Sequence, residues 1–224
     1  MISAVIFDLD GVLVSTDEFH YLAWKQMAAD EGIKFDREIN EHLRGVSRMD
    51  SLELILRNAR RHYTEEEKNT LAEKKNKIYV ELIQSLKPDD MLPGAKRTIE
   101  ELRAAGIKIA IGSSSKNTPS ILKQIGLTDY FDAVADGNDI NRSKPDPEVF
   151  LLAAKRLNKP FDQCLVIEDA LSGIGAAVSA GMLVLGVGSA SSSPQATIRA
   201  KSLNDISVLD WIKSNPVMDY NKKL

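Results

Sequence analysis

The sequence is poor in cysteine. Cys164 stands alone among 224 residues, which excludes an internal disulfide, and its place at the head of the apolar run CLVI predicts a buried structural thiol rather than a nucleophile. Positive charge is not in excess either. With 29 Lys and Arg against 32 Asp and Glu, a net charge of −3 and a pI near 5.7, the chain lacks the basic footprint of a general nucleic-acid binder. Any affinity for phosphate must then be local. No apolar run approaches the roughly 20 residues that span a bilayer, and the N-terminus carries no basic segment leading into an apolar stretch and a cleavage site. A cytoplasmic protein without membrane association is expected, with a monomer as the default. There is no internal repeat, and the one low-complexity tract, GSASSSP, reads as a loop; GVGSAS before it lacks the lysine of a P-loop. What is present is globular: 43% hydrophobic and 27% charged residues suffice for one sizeable core and a smaller appended unit.

Short apolar strand candidates, AVIF, IKIAIG, DAVAD, CLVIE and LVLGVG, alternate with helical patterns. That alternation predicts an α/β fold, a Rossmann-like, doubly wound and mainly parallel sheet covered by helices. Helical periodicity ends at Gly106, Gly126 and Gly181, where a left-handed cap is least costly for glycine. In SKPDPEVFLLAAKRL, Asp146 is expected as N-cap with Pro147 at the first helical position. Between Thr16 and Lys87 no strand pattern is visible. This predicts an inserted helical cap domain, 16–87, on a core of 1–15 and 88–224. Its last helix starts at a Thr64/Glu67 capping box, with Leu71, Ile78 and Leu82 expected along one face. The two crossings, near Val14–Asp17 and Lys87–Leu92, would suit a hinge.

The run VIFDLDGVLV ends an apolar strand in two aspartates, Asp8 and Asp10. Reactive groups in open α/β sheets collect at the carboxyl ends of strands, and alternation places both acids on one side of an extended backbone. Two close carboxylates repel unless a cation or proton intervenes. A metal ion resolves this, leaving one acid as ligand and nucleophile and the other as proton donor and acceptor; an Asx turn explains one aspartate readily and two less well. Ser113, ending IAIG, is followed by Ser114, Ser115, Lys116 and Asn117, a set of hydroxyls and amides suited to phosphate oxygens but also an ordinary polar loop. Lys144 can bring positive charge to a phosphoryl group, although a single lysine is more often a solvated charge. CLVIEDALSG ends a further strand in Glu168 and Asp169, hard oxygen ligands for a cation.

In this order of acid pair, serine, lysine and acid pair, the sequence resembles the haloacid dehalogenase-like superfamily of phosphotransferases, and specifically its sugar-phosphate mutases. FDLDGVLV, EFHYLAW, LRGVSRMDSL, KKNKIYV, SSSKN, SKPDPEVF and IEDALSGI carry the likeness over almost the whole chain. The resemblance implies interconversion of β-D-glucose 1-phosphate and glucose 6-phosphate by way of β-glucose 1,6-bisphosphate. It makes Asp8 the nucleophile, Asp10 the general acid/base, and Asp8, the Asp10 carbonyl and Asp169 the Mg²⁺ ligands, with Glu168 as ligand or support. Ser113 and Lys144 would bind the transferring phosphoryl group, while Ser115 and Asn117 reach phosphate or sugar nearby and Ser114 is a further substrate-binding candidate. From the cap, Arg44, Gly45, Val46 and Arg48 would meet the distal phosphate and ring, and His20, Trp24, Ser51 and Lys75 would serve substrate or closure. Thr16 matches the hinge. Arg44 stands where the family pattern has lysine, and Ser15 where it has aspartate.

Read from residues alone, His20 and Trp24 are equally ordinary helix packing, Arg44 and Arg48 a solvated helix end, and Lys75 part of a charged helical face. His42 and His62 have no evident partners. Two other functions share the core signature: a sugar-phosphate phosphatase, and a catalytically silent phosphosugar-binding protein.

Overall fold

The computed structural model describes residues 1–43 and 46–216. Six strands, β1 (Ala4–Phe7), β2 (Lys108–Gly112), β3 (Ala133–Ala135), β4 (Cys164–Glu168), β5 (Leu183–Gly186) and β6 (Ile198–Arg199), form one sheet in the order β3-β2-β1-β4-β5-β6. Every pairing is parallel. The first strand pairs with β2 on one side and β4 on the other, which puts the topological switch at its carboxyl end. β6 escaped the sequence reading because two residues, half-buried and exposed, present no hydrophobic run.

Strand alternation divides the core in two. Val5, Phe7, Ile109, Ile111, Leu165 and Ile167 face one layer, which α5 (Ala95–Ala104), α6 (Thr118–Gln124) and α9 (Val208–Ser214) cover through Ile99, Ile121 and Ile212. Ala4, Ile6, Ala110, Val166 and Val184 face the other, packed by α7 (Glu148–Arg156) and α8 (Leu171–Ser179). Gly106, Gly126 and Gly181 do lie beyond α5, α6 and α8 at positive φ of 75°, 75° and 71°. At α7 the expected boundary shifts by one residue: Pro147 is the N-cap, and the Asp146 carboxylate accepts from the Glu148 N–H at 3.0 Å.

The described residues between 17 and 83 form four helices, α1 (Asp17–Asp30), α2 (Arg37–Glu41), α3 (Arg48–Leu56) and α4 (Glu65–Ile83), with a separate apolar cluster that includes Trp24, Met27, Leu52, Ile55 and Leu71. The Thr64/Glu67 capping box is present at the start of α4. The buried stripe of that helix is not the one expected: it contains Leu71, Lys75, Tyr79 and Ile83, while Ile78 and Leu82 are half-buried. A lysine on the inward face conceals the stripe from any hydrophobicity pattern. Both crossings of the chain meet at one point, where Val14 bridges Met91 and the Leu92 N–H donates to the Leu13 carbonyl at 2.8 Å. No helix among the described residues is long and apolar enough to cross a membrane.

Candidate active site

The backbone ladder continues one step past the strand ends, which fixes where the polar residues begin. The Asp8 N–H donates to the Ile167 carbonyl at 2.9 Å, Ser113 to Ala135 at 3.1 Å, and Val187 to Glu168 at 2.9 Å. Lys144 reaches the same point from the loop before α7. Its Nζ donates to Asp8 Oδ1 at 2.6 Å and to Glu168 Oε2 at 2.7 Å, and it is buried, so a solvated surface lysine is ruled out. Glu168 Oε1 accepts from the backbone N–H groups of Asp169 and Ala170, both at 3.1 Å. Two glycines make room. A Cβ on Gly173 would lie 2.0 Å from the Glu168 carboxylate, and one on Gly11, whose φ is +84°, would lie 2.1 Å from Asp169 Oδ2.

One oxygen each from Asp8, Glu168 and Asp169 lie within 4.8 Å of one another. Burial and then the neighbouring Asp8 charge push both the Glu168 and Asp169 carboxyls above their ordinary range. Burial works against the Lys144 ammonium, but Asp8 and Glu168 outweigh it and hold the lysine protonated. Three carboxylates against one ammonium leave the cluster short of positive charge, and its donors are all hard oxygens. This set fits a divalent cation of the Mg²⁺ class.

Asp10 stands apart from that cluster. The chain leaves the extended conformation after Asp8 and turns through Gly11, with the Leu13 N–H donating to the Leu9 carbonyl at 3.0 Å, so the expected shared face of an extended backbone is not maintained. Instead the Asp10 carboxylate accepts from the Thr16 N–H at 2.7 Å and from the Thr16 hydroxyl. Burial pushes its pKa up to about 7 against the opposing pull of those two bonds. A carboxyl poised there can give or take a proton near neutrality.

On the other side of Asp8, the serine loop forms a relay: Ser115 N–H donates to Ser113 Oγ, and Asn117 N–H to Ser115 Oγ, both at 3.2 Å. Ser114 Oγ is buried without a hydrogen-bond partner among the described residues. The helical unit supplies a second cluster. Lys75 Nζ lies 2.7 Å from His20 Nδ1, 4.8 Å from the Trp24 ring centre and 4.7 Å from that of Tyr79, on which His20 stacks at 4.2 Å. Burial first and the Arg48 charge second lower the Lys75 pKa to about 7; burial, Lys75 and Arg48 hold His20 well below its ordinary value. Ser51 is buried, its hydroxyl pointing to the Val46 carbonyl at 3.5 Å, while the Val46 side chain is exposed. Arg48 donates to Asn76 Oδ1 at 2.9 Å. Arg44 and Gly45 lie outside the described residues.

Asn76, Tyr79, Gly11 and Gly173 were absent from the sequence-based candidates. All four fall within the family-like runs, and Tyr79 also lies four residues after Lys75 and so on the same helical face.

A doubly wound sheet whose carboxyl edge gathers two acid pairs, a buried lysine and a hydroxyl-rich loop, beside a helical insertion, defines the class of α/β phosphotransfer enzymes. The chain belongs to the haloacid dehalogenase-like hydrolase family, whose sequence profile matches residues 2–181. Within it, the chain is 44% identical over 207 residues to a beta-phosphoglucomutase of Bacillus subtilis strain 168, covering 92% of each protein. The crystal structure of a beta-phosphoglucomutase from Clostridium difficile matches with a TM-score of 0.88 at 41% identity, over 99% of this chain and 98% of that one. A phosphorylated carbohydrates phosphatase of Thermotoga maritima is more distant, 30% identical over 80% of this chain and 82% of its own.

Proposed function

We propose that the protein is a β-phosphoglucomutase, interconverting β-D-glucose 1-phosphate and glucose 6-phosphate through an aspartyl phosphate on Asp8 and β-glucose 1,6-bisphosphate. The observation that carries this reading is the pairing of the buried Asp8–Lys144–Glu168 cluster with a separate carboxyl, Asp10, whose pKa of about 7 suits proton exchange with a sugar hydroxyl. The level of identity to beta-phosphoglucomutases, over nearly the full length of both chains, supports the choice of sugar.

In one half of the cycle the 6-hydroxyl of β-glucose 1-phosphate attacks phosphorus on phospho-Asp8 as Asp10 accepts its proton. The bond from phosphorus to the Asp8 oxygen breaks and the bisphosphate forms. In the other half, Asp8 attacks the C1 phosphate, the bond from phosphorus to the C1 oxygen breaks, and Asp10 returns the proton to that oxygen. Lys144 and Ser113 stabilise the charge on the equatorial phosphoryl oxygens. Asp8, Asp169 and the Asp10 carbonyl, supported by Glu168, would hold Mg²⁺, which when bound supplies charge neutralisation at the phosphoryl group. Residues 16–87 act as a cap over the core of 1–15 and 88–224, with Thr16 in the hinge. Closure brings His20, Trp24, Ser51, Lys75 and the Arg44–Arg48 segment to the substrate and excludes water. The reading includes cytoplasmic location, sugar phosphates as partners and a monomeric state.

The test is to incubate the protein with Mg²⁺, β-glucose 1-phosphate and a trace of β-glucose 1,6-bisphosphate, measuring glucose 6-phosphate and inorganic phosphate together. Glucose 6-phosphate should dominate. Predominant inorganic phosphate would place the chain with the sugar-phosphate phosphatases, and binding without either product would make it a silent phosphosugar-binding protein.

A further inference from the structure

The Asn76 side chain stands where the helical unit meets the core. Its Oδ1 accepts from Arg48 in α3 at 2.9 Å and from Asn117 Nδ2, at the start of α6, also at 2.9 Å. A guanidinium can only donate, so the Asn76 atom facing Arg48 must be the amide oxygen, and Asn117 must then present its own amide nitrogen. The polarity of the three-residue chain is therefore determined by Arg48. Asn117 leads on, through its backbone N–H to Ser115 Oγ and from the Ser115 N–H to Ser113 Oγ, towards the end of β2. One neutral oxygen thus holds two donors, one from the helical unit and one from the core.

We infer that Asn76 is a positioning residue for the distal phosphate: its amide oxygen takes the place of a phosphate oxygen between Arg48 and Asn117 and keeps both donors converged for the ligand. This rests on the mutase reading above, in which Arg48 meets the distal phosphate and Asn117 reaches phosphate or sugar; that both meet the same phosphate is part of the inference. Three physical points favour it. Arginine has costly rotamer freedom, and a partner that holds it in place before binding lowers the entropy lost on capture. A neutral amide oxygen is a weaker acceptor than a phosphate oxygen, so the anion can displace it. Asn76 directly follows Lys75 in α4, so any rotation or shift of that helix moves the lysine and the Arg48 anchor together.

The experiment is a double-mutant cycle in the full chain, using β-glucose 1-phosphate as substrate and β-glucose 1,6-bisphosphate as primer. Asn76→Leu should raise the KM about tenfold while changing kcat less than about twofold, the loss of roughly one charge-assisted hydrogen bond. In an Arg48→Ala background the same substitution should raise the KM less than about twofold, because the group it positions is gone. Asn76→Gln, which keeps the amide on a longer stem, should recover part of the loss. An unchanged KM in Asn76→Leu, or equal effects in both backgrounds, would overturn the assignment and leave the mutase reading intact. A wild-type protein that forms no glucose 6-phosphate would instead remove the reading, and this inference with it.

Discussion

Lys144 and Lys75 are both buried lysines with opposite fates. Lys144 sits between Asp8 and Glu168 and stays charged; Lys75 meets a histidine and two aromatic rings, and its pKa falls to about 7. Replacing Lys144 by Met should lower turnover at least about a hundredfold and also reduce the thermal midpoint, because two buried carboxylates lose their cation. A variant that keeps the wild-type midpoint would show that the ion pairs contribute no stability. For Lys75 the sign is reversed. A lysine with its folded pKa below the unfolded value of about 10.5 is destabilising while it is charged in the unfolded chain: below about pH 7 the ammonium is buried at full cost, between about 7 and 10.5 folding releases its proton and the penalty fades as pH rises, and above 10.5 it is gone. Lys75→Met should therefore be more stable than wild type at pH 7, by up to about 4 kcal/mol, and the two should converge by about pH 10. Urea unfolding at the two pH values checks this, and a constant difference would contradict it.

At the scale of the element, a conflict between helix propensity and packing is decided at Gly173. In the first turn of α8, alanine would ordinarily stabilise by about 0.5–1 kcal/mol. Here its methyl would overlap the Glu168 carboxylate at 2.0 Å, and that carboxylate is held by two backbone N–H groups and Lys144. Packing wins. Gly173→Ala should lose about 1–3 kcal/mol and most of its activity with its far-UV circular dichroism unchanged. A stabilised, active variant would mean the acid pair can shift freely. The loop from Asp8 to Thr16 works similarly. The positive φ at Gly11 lets the chain turn so that Asp10 meets Thr16, and Thr16→Val should lower kcat by impairing Asp10 while leaving phosphorylation of Asp8 by acetyl phosphate largely intact.

Across the whole molecule, two amide pairs connect α4 and its C-cap to α6 and its N-cap: Asn76 with Asn117, and Gln84 with Gln124 at 2.6 Å. The two crossings of the chain are joined where Val14 bridges Met91. Apolar residues of the helical unit, Ala23, Tyr79 and Ile83 among them, also join the core cluster that contains Ile121 and Leu122 of α6, so the amide pairs lie beside an apolar contact. Chelation of divalent metal should abolish turnover and Mg²⁺ should restore it, while far-UV circular dichroism stays unchanged because the two apolar layers of the core do not depend on the acid cluster. Loss of secondary structure on chelation would assign the metal a folding role instead.

The sequence by itself determined the parallel α/β class, five of the six strands, the helical insertion and the acids at the strand ends, because local hydrophobic period, glycine caps and strand-terminal polarity are properties of neighbours along the chain. The same locality explains its errors. The α4 stripe was displaced because Lys75 is polar by type yet buried against His20, Trp24 and Tyr79, residues that only the fold brings near it. Likewise Lys144 reads as any lysine until Asp8, 136 positions away in sequence, closes on it. Asn76, Gly11 and Gly173 lie within the family-like runs KKNKIYV, FDLDGVLV and IEDALSGI, but nothing in those runs assigns them a role, since their significance lies in contacts with Arg48, Asp169 and Glu168. Which groups pair, which carboxyl stays out of the acid cluster and which lysine has its pKa lowered were decided by tertiary structure, because desolvation and charge proximity act through space and not along the chain.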